Sequence, residues 1–367
     1  MKRKIPESYE ILGLMSGSSL DGLDLAWCRF ERNHPEEAFQ WELLDTGCIP
    51  FPSDLQNKLS RCRTFSALEL AETERNFVAF SAACIQEMCL KSGRKPLAIA
   101  SHGHTVFHNP DVGYSVQIGN GGLLYGLIEM PVVSDFRTVD VALGGQGAPL
   151  VPGAEAELFS EFTACLNLGG ICNISFPGKN NRGFDVGPCN QLLNYISRKQ
   201  GKDYDENGTW AAGGKLIPEL LQALHSIEYY KRPAPKSLSN EDVANFWIPE
   251  LNLWEDRPED VLHTLCLHIS GCIAAASPEE GKMLVSGGGA FNGFLTDSIR
   301  KACGENLQLI MADPQLAASK EALCFAWLGL KRLLGEVNVR AAVTGASRDS
   351  VCGAVYGPAT LFPNQRH

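Results

Sequence analysis

The sequence predicts an α/β protein built from two units of similar construction. Short apolar segments alternate with segments of helical periodicity, a pattern typical of α/β folds. A strand, a turn of small residues and a second strand are predicted at 11–30, and the same order recurs at 164–176. The chain has 367 residues, which exceeds the size of about 250–300 residues at which a single core stops growing.

The first half begins with the hairpin at 11–30, whose turn contains small residues and an Asp-Gly pair. A helix predicted at 66–92 ends at Gly93 and Pro96. The other predicted strands are 39–49, 97–100, 114–118 and 132–135, and the other predicted helices are 53–63 and 122–129.

The second half repeats this order of parts. A buried strand at 282–286 ends in Ser286 and then Gly287, and the strand at 97–100 likewise leads into Ser101-His102-Gly103. The predicted helices are 190–199, 216–224, 240–246, 258–276, 292–302 and 320–334. The repeated order suggests a duplicated α/β unit. The Gly- and Pro-rich segment 141–152 is either the crossover between the two domains or a loop that contacts substrate, and both can hold.

Composition limits the classes of function. A net charge of −10 repels phosphodiester backbones, so we expect no nucleic-acid partner. The 13 cysteines include no Cys-x-x-Cys pair and lie largely in apolar runs, which is typical of buried thiols in a reducing compartment. No segment has the length of a membrane span, and the basic first residues meet no long apolar segment. We therefore expect a cytoplasmic protein without a membrane partner.

Three turns of small residues, at 16–19, 167–170 and 286–289, are candidate phosphate sites. Their backbone N–H groups and hydroxyls can close around a phosphate because little side-chain bulk intervenes. The sequence lacks Gly-x-x-x-x-Gly-Lys-[Ser/Thr] and has no Gly-x-Gly-x-x-Gly after the first strand, so neither common nucleotide motif applies. Each turn alone is equally typical of an ordinary turn, but three in matching places would suit a nucleotide held between two domains.

Asp185 follows an aromatic strand residue and precedes a Gly-Pro turn that opens a helix. A carboxylate at a strand end could act as a general base, or it could cap the helix that begins at Asn190. The sequence alone does not choose between them. His102, His104 and His108 have a spacing that fits no familiar zinc site, which favours substrate-binding or exposed loop histidines.

The ordered motifs resemble those of the anhydro-N-acetylmuramic acid kinase family, bacterial sugar kinases of the actin/hexokinase/Hsp70 superfamily. The resemblance covers residues 11 to about 357. The motifs are GLMSGSSLDG (13–22), SHGHTVFH (101–108), QIG (117–119), VVSDFR (132–137), GGQGAPLVP (144–152), NLGG (167–170), FDVGP (184–188), VSGGGA (285–290) and KEA (320–322).

The resemblance implies two actin-like (ribonuclease H-like) lobes, 1–140 and 141–367, with ATP and Mg²⁺ in the cleft between them. It implies that Asp185 is the catalytic base and that the Mg²⁺ is held mainly through the ATP phosphates, its protein ligands being unknown. The sugar-binding residues would be His104, Thr105, Arg137 and Glu321. The ATP- and phosphate-binding residues would be Ser16, Gly17, Ser18, Ser19, Asp21, Asn167, Gly169, Gly170, Gly287, Gly288 and Gly289.

The reaction implied by the resemblance opens the internal bridge of 1,6-anhydro-N-acetylmuramic acid with water and phosphorylates the freed O6, in peptidoglycan recycling. The chain departs from the family pattern at Ser18, His104, Val186 and Cys189, where relatives usually have Thr, Gln, Thr and Gly. His104 leaves the preferred sugar open. The alternatives are a kinase of another amino sugar on the same fold and a non-catalytic nucleotide or sugar sensor. A homodimer is kept as a candidate assembly.

Overall fold

The computed structural model describes residues 8–17, 20, 22–34, 36–178, 182–234 and 236–358. The strands are β1 (Tyr9–Met15), β2 (Gly22–Glu31), β3 (Gln40–Pro50), β4 (Ala98–Ser101), β5 (His104–Asn109), β6 (Tyr114–Ile118), β7 (Val132–Ser134), β8 (Ala164–Leu168), β9 (Ile171–Phe176), β10 (Arg182–Pro188), β11 (Gly281–Ser286), β12 (Leu307–Met311) and β13 (Ala354–Tyr356). The helices are α1 (Ser53–Arg61), α2 (Ala67–Ser92), α3 (Gly121–Ile128), α4 (Thr138–Ala142), α5 (Val151–Leu158), α6 (Asn190–Lys199), α7 (Thr209–Gly213), α8 (Pro218–Ser226), α9 (Asn240–Phe246), α10 (Ile248–Asn252), α11 (Pro258–Ala276), α12 (Gly293–Cys303), α13 (Pro314–Leu334) and α14 (Ala341–Thr344).

Two compact units divide the chain. The first extends to Leu158 and resumes at Ser319, and the second is Phe159–Ala318. The sequence predicted lobes of 1–140 and 141–367, which differ from these units in two places. Residues 141–158, with the Gly- and Pro-rich loop, and the segment from 319 onward both pack with the first unit. The segment from 319 onward does so because it returns to that unit's sheet, where β13 pairs antiparallel with β7.

The two central sheets have the same strand order. In the first unit it is β13-β7-β4-β1-β2-β3, and in the second it is β10-β9-β8-β11-β12. In both, the first three strands form an antiparallel meander and the next two extend the sheet in parallel from the first strand. The prediction of an α/β protein with two actin-like lobes is confirmed by this repeated order; β13 is an added edge strand.

Each unit has its own apolar core. In the first, Leu12, Trp27 and Ile99 of the sheet pack with residues of α2, among them Phe77 and Ile85. In the second, the sheet residues Leu166, Ile174 and Val285 pack with the helix residues Leu192, Leu265 and Ile269. All 13 cysteines are free, and nine of them are buried. Among the described residues, no helix is both long and apolar enough to cross a membrane.

Candidate active site

The turn after β1 is described only in part. Ser16 is buried, and its Oγ lies 3.0 Å from Nδ1 of His104 at the start of β5. Gly17 follows, half-buried, and its carbonyl accepts from the N–H of Leu20 at 3.4 Å. The predicted phosphate ligands Ser18, Ser19 and Asp21 lie outside the described residues.

His104, a predicted sugar-binding residue, contacts Ser16 of this turn and precedes Thr105, another predicted sugar-binding residue. Burial, together with the charge of Arg63, lowers the pKa of His104 to about 4, so its ring is neutral at pH 7. A neutral imidazole can donate to one neighbour and accept from another, as the amide of the usual family Gln can. Thr105 follows on β5, at an irregularity of the β5–β6 pairing between Thr105 and Phe107.

Arg137, the predicted partner of the substrate carboxylate, is held by two acceptors. Its Nε and Nη2 donate to Nε2 of His102 at 3.2 and 2.8 Å, and its Nη1 donates to the Gly147 carbonyl at 2.6 Å. Because a guanidinium only donates, His102 Nε2 must accept. The proton therefore lies on Nδ1, which donates to the Gly103 carbonyl at 2.9 Å.

His102 supports Arg137, a role that the sequence analysis did not predict for it. The structure places it buried against Phe325, with ring centroids 4.7 Å apart, and not in an exposed loop. Burial and the neighbouring Arg137 charge hold the pKa of His102 well below its usual range. Only the neutral His102 ring can accept from Arg137. The charge of Arg137 favours that neutral ring, and the ring in turn orients the guanidinium.

The Gly- and Pro-rich loop supplies the second support of Arg137. Asp140 is buried and accepts from the Gly147 N–H at 2.8 Å and from the Thr344 hydroxyl at 2.7 Å. The loop therefore lies within the first unit and orients a predicted substrate residue. The chain passes between the units at Leu158 and Phe159 and not within this loop; contact of the loop with substrate stays a prediction.

Glu321 interacts electrostatically with Arg137. Burial raises the pKa of Glu321; the charges of Lys320 and Arg137 lower it, and the carboxylates of Asp24 and Glu155 raise it further. Lys320 is itself buried and forms a 2.7 Å ion pair with Glu155. Burial also lowers the pKa of Arg137 to about 10, against the carboxylates of Glu321 and Asp140, so Arg137 remains charged at pH 7.

The second unit brings two of the predicted nucleotide turns together. Gly287 has φ +83°, and a Cβ there would lie 2.5 Å from Asn167 Oδ1 and 2.8 Å from the Leu168 carbonyl carbon. A Cβ on Gly289 would lie 2.8 Å from the Leu168 Cβ. The turn at 287–289 therefore packs directly on the turn at 167–170, and glycine is required at both positions.

Asn190 bonds to the turn at 167–170 and lies beside the turn at 287–289. The sequence analysis did not predict this role. Its Nδ2 donates to the Leu168 carbonyl at 2.8 Å, and its backbone N–H donates to the Gly169 carbonyl at 3.2 Å. The Gly170 carbonyl accepts from the N–H groups of Cys189 and Gln191 at 2.8 and 3.1 Å. The first turn of α6 thus orders the predicted phosphate turn at 167–170.

Asp185 lies within β10, at a register irregularity between Asp185 and Gly187, and not at the end of the strand. Its backbone N–H donates to the Lys236 carbonyl at 3.0 Å, and its Oδ2 accepts from the Leu238 N–H at 2.9 Å. The Tyr229 hydroxyl donates to its carbonyl at 2.6 Å. A bulge of this kind re-aims a side chain; two of the three bonds anchor the backbone of Asp185, and the one from Leu238 holds its carboxylate.

The alternative role of Asp185 as a helix cap is wrong. The N-cap residue of α6 is Cys189, and no side chain of the described residues caps that helix. Burial raises the pKa of Asp185 to about 6, although the Leu238 N–H lowers it. Val186 and Cys189, which depart from the family pattern, are both buried in the core of the second unit.

A protein-family model and curated relatives both match this chain over nearly its whole length. The family model of anhydro-N-acetylmuramic acid kinase matches residues 9–358. The anhydro-N-acetylmuramic acid kinase of Pseudomonas syringae pv. syringae (strain B728a) is 37% identical over 373 residues, covering 94% of this chain and 98% of the relative. Those of Pseudomonas fluorescens (strain Pf0-1) and Nitrosospira multiformis are 38% and 36% identical, with the same coverage.

Solved structures are similar at lower identity. A hexokinase from Schistosoma mansoni complexed with glucose is 11% identical, with TM-score 0.35, over 87% of this chain and 84% of that one. A putative N-acetylmannosamine kinase from Listeria monocytogenes is 12% identical, with TM-score 0.35, over 88% and 99%. The family-model match and the close relatives carry the assignment: this chain belongs to the anhydro-N-acetylmuramic acid kinase family.

Proposed function

We propose that this chain is an ATP-dependent kinase that opens the anhydro ring of 1,6-anhydro-N-acetylmuramic acid with water and phosphorylates O6. The product is N-acetylmuramic acid 6-phosphate, and the role is peptidoglycan recycling. The observation that carries the proposal is the environment of Asp185. Its backbone is anchored by bonds with Lys236 and Tyr229, its half-buried carboxylate accepts from the Leu238 N–H, and burial raises its pKa to about 6.

Asp185 is the general base of the ring opening. Its Oδ2 accepts from the Leu238 N–H, and within the described parts of the chain no hydrogen bond engages Oδ1. A base with a pKa near 6 is ionised at pH 7 and close enough to neutrality to accept a proton from water effectively. The water oxygen bonds to the anomeric carbon, its proton passes to Asp185, and the C1–O6 bond breaks as O6 takes the terminal phosphoryl group of ATP.

Arg137 binds the lactyl carboxylate of the sugar. One edge of its guanidinium, Nε with Nη2, is engaged by His102, and one N–H of Nη1 by Gly147. In the part of the chain that the structure describes, these bonds leave one N–H on each terminal nitrogen, and a guanidinium can bind a carboxylate through two N–H groups. The specificity for a carboxylate-bearing sugar comes from this end of the side chain, with His104, Thr105 and Glu321 as further sugar contacts.

ATP is held by backbone groups. We assign its phosphates to the segments Ser16–Asp21 and Asn167–Gly170 and its nucleoside side to Gly287–Gly289, because segments rich in small residues admit phosphate oxygens closely. Asp24 and Glu321 carry carboxylates that interact, and carboxylate oxygens are the donors that Mg²⁺ prefers beside substrate phosphates. This donor chemistry is compatible with a Mg²⁺ ion held mainly through the ATP phosphates, whose charge it would neutralise.

Location and assembly are part of the same proposal. The cytoplasm supplies ATP and keeps the free thiols reduced, and the net charge of −10 disfavours nucleic acid as a partner. A homodimer is the assembly that we propose, and sedimentation of the purified chain tests it.

The test is ADP release from MgATP with a panel of sugars. The panel contains the anhydro sugar, its reducing counterpart N-acetylmuramic acid, and an anhydro sugar without the lactyl group. The proposal predicts fastest turnover with the anhydro sugar that bears the lactyl carboxylate. Preference for another amino sugar would favour the alternative kinase, and saturable binding of ATP and sugar without turnover would favour a sensor.

A further inference from the structure

A cluster of nitrogen and sulfur donors in the second unit takes no part in the proposed reaction. His225, His268 and Cys272 each offer one ligand atom, and these atoms all lie within 4.8 Å of one another. His268 and Cys272 are four residues apart on α11 and therefore share one face of that helix. His225 lies in the last turn of α8, which packs against α11.

We propose that His225, His268 and Cys272 form a binding site for a divalent cation of the zinc class. Zn²⁺ combines imidazole nitrogen with thiolate sulfur, often with three protein ligands and a water. Mg²⁺ prefers oxygen donors and would be excluded by this donor set.

The distances fit such an ion after small side-chain rotations. Zn–N bonds of about 2.0–2.1 Å and Zn–S bonds of about 2.3 Å place the ligands of a tetrahedral site about 3.3–3.8 Å apart. The Sγ of Cys272 lies 4.0 Å from Nδ1 and 3.8 Å from Nε2 of His268. His225 is exposed, so its side chain can rotate to close the remaining gap.

Tyr230 orients the buried ligand. Its hydroxyl lies 2.9 Å from Nε2 of His268 and accepts from the Trp247 indole N–H at 3.1 Å. A metal-binding histidine usually uses its second nitrogen for such a bond, which fixes the tautomer and the ring direction. When Nε2 donates to the Tyr230 hydroxyl oxygen, Nδ1 carries the lone pair for the ion, and it lies 4.0 Å from the Cys272 Sγ.

Burial gives the site one route of entry. His268 is buried, Cys272 is half-buried and His225 is exposed. Burial favours the neutral imidazole, which is the form that binds metal. An ion would enter at His225 and reach the sulfur and the buried ring behind it, and the fourth position would hold water.

Cobalt is the probe, because a Co²⁺–thiolate bond absorbs light and a Co²⁺ ion on oxygen ligands lacks that band. The reduced, chelator-treated full chain is titrated with Co²⁺ in excess Mg²⁺, without sugar or nucleotide. We expect one equivalent to bind with a thiolate-to-cobalt charge-transfer band, and Zn²⁺ to abolish the band by displacement.

Matched variants locate the ion. Cys272→Ser and His225→Gln should each remove the band or weaken binding at least about 10-fold. Cys303→Ser, another half-buried cysteine of the same unit, and His34→Gln, an exposed histidine, should leave it unchanged. His225 is exposed, so its variant should keep the wild-type melting temperature. A wild-type chain without the band, or a band and a Co²⁺ affinity that either ligand substitution leaves unchanged, would overturn the proposal.

Discussion

Replacing Asp185 by Asn should abolish turnover and leave the protein at least as stable at pH 8. Asn is nearly isosteric, and its Oδ1 can still accept from the Leu238 N–H that now bonds Oδ2 at 2.9 Å. It cannot take a proton from water. We expect the turnover rate to fall by about three orders of magnitude or more, since a general base typically contributes about 10²–10⁴-fold.

The stability change has a sign that the pKa of Asp185 determines. Burial raises this pKa from 3.8 to about 6, so ionising Asp185 in the folded chain is unfavourable by about 3 kcal/mol at 1.36 kcal/mol per pH unit. The stability that the wild-type side chain contributes is fully present below pH 4 and is lost as the pH rises through 6. Asn does not ionise, and its weaker bond to Leu238 loses about 1 kcal/mol.

The net expectation is a variant about 2 kcal/mol more stable than wild type at pH 8, or about 4–8 °C in melting temperature for a unit of this size. This advantage should disappear below pH 4. The assay is thermal melting of both proteins across pH 3–8, together with ADP release at each pH. The wild-type rate should fall below pH 6 as Asp185 takes up a proton.

Asp260→Asn is the matched control. Hydrogen bonds from the Lys215 N–H and from Arg257 lower the pKa of Asp260, so the same substitution there should reduce stability at pH 8 and keep turnover. An Asp185→Asn variant that stays active would remove Asp185 from the chemistry. An inactive variant that is less stable at pH 8 than at pH 4, relative to wild type, would refute the burial argument.

The remaining predictions concern the two binding regions. Arg137→Ala should raise the KM for the anhydro sugar about 10–150-fold and leave the KM for ATP unchanged. This factor corresponds to the roughly 1.5–3 kcal/mol of a charge-assisted contact. A sugar KM that stays at the wild-type value would show that Arg137 is not the carboxylate partner. His102→Ala should raise the sugar KM less, and the double variant with Arg137→Ala should match Arg137→Ala alone, because His102 acts through Arg137; additive effects would separate the two residues. Gly287→Ala should weaken ATP binding at least about 10-fold, because the added Cβ meets Asn167 and Leu168 at a positive φ. The control Gly271→Ala places its Cβ in open space on α11 and should stabilise the chain by about 0.5–1 kcal/mol. Equal ATP affinities in the two variants would contradict the role of this turn.

Local signals predicted much of the fold. The hairpin of β1 and β2, the repeated hairpin of β8 and β9, and helix α2 all depend on neighbouring residues. Ser66 caps α2 through a capping box with Glu69, and Gly93 ends it in the left-handed conformation, as the sequence indicates. Strand β5 was missed because it begins at His104 in a segment rich in histidine and polar residues, where pairing with β6 decides the conformation.

Long-range contacts of the site could not be predicted from spacing. His102 and Arg137 are 35 residues apart, and Asp185 and Leu238 are 53 apart, so neither pair leaves a periodic signal. The sequence did contain a clue to the second pair, since the Pro-Lys-Ser segment at 235–237 stands just before Leu238. The binding and catalytic roles of all the candidate site residues stay predictions, including those of Ser18, Ser19 and Asp21, which lie outside the described residues.

The mass of the sugar product tests the central claim most directly. Ring opening coupled to phosphoryl transfer adds one water and one phosphoryl group to 1,6-anhydro-N-acetylmuramic acid, whereas phosphorylation of a free hydroxyl adds the phosphoryl group alone. Mass spectrometry of a reaction run to completion with MgATP separates the two. The account predicts a product heavier by both groups and none with Asp185→Asn; a phosphorylated sugar that retains the anhydro bridge would contradict it.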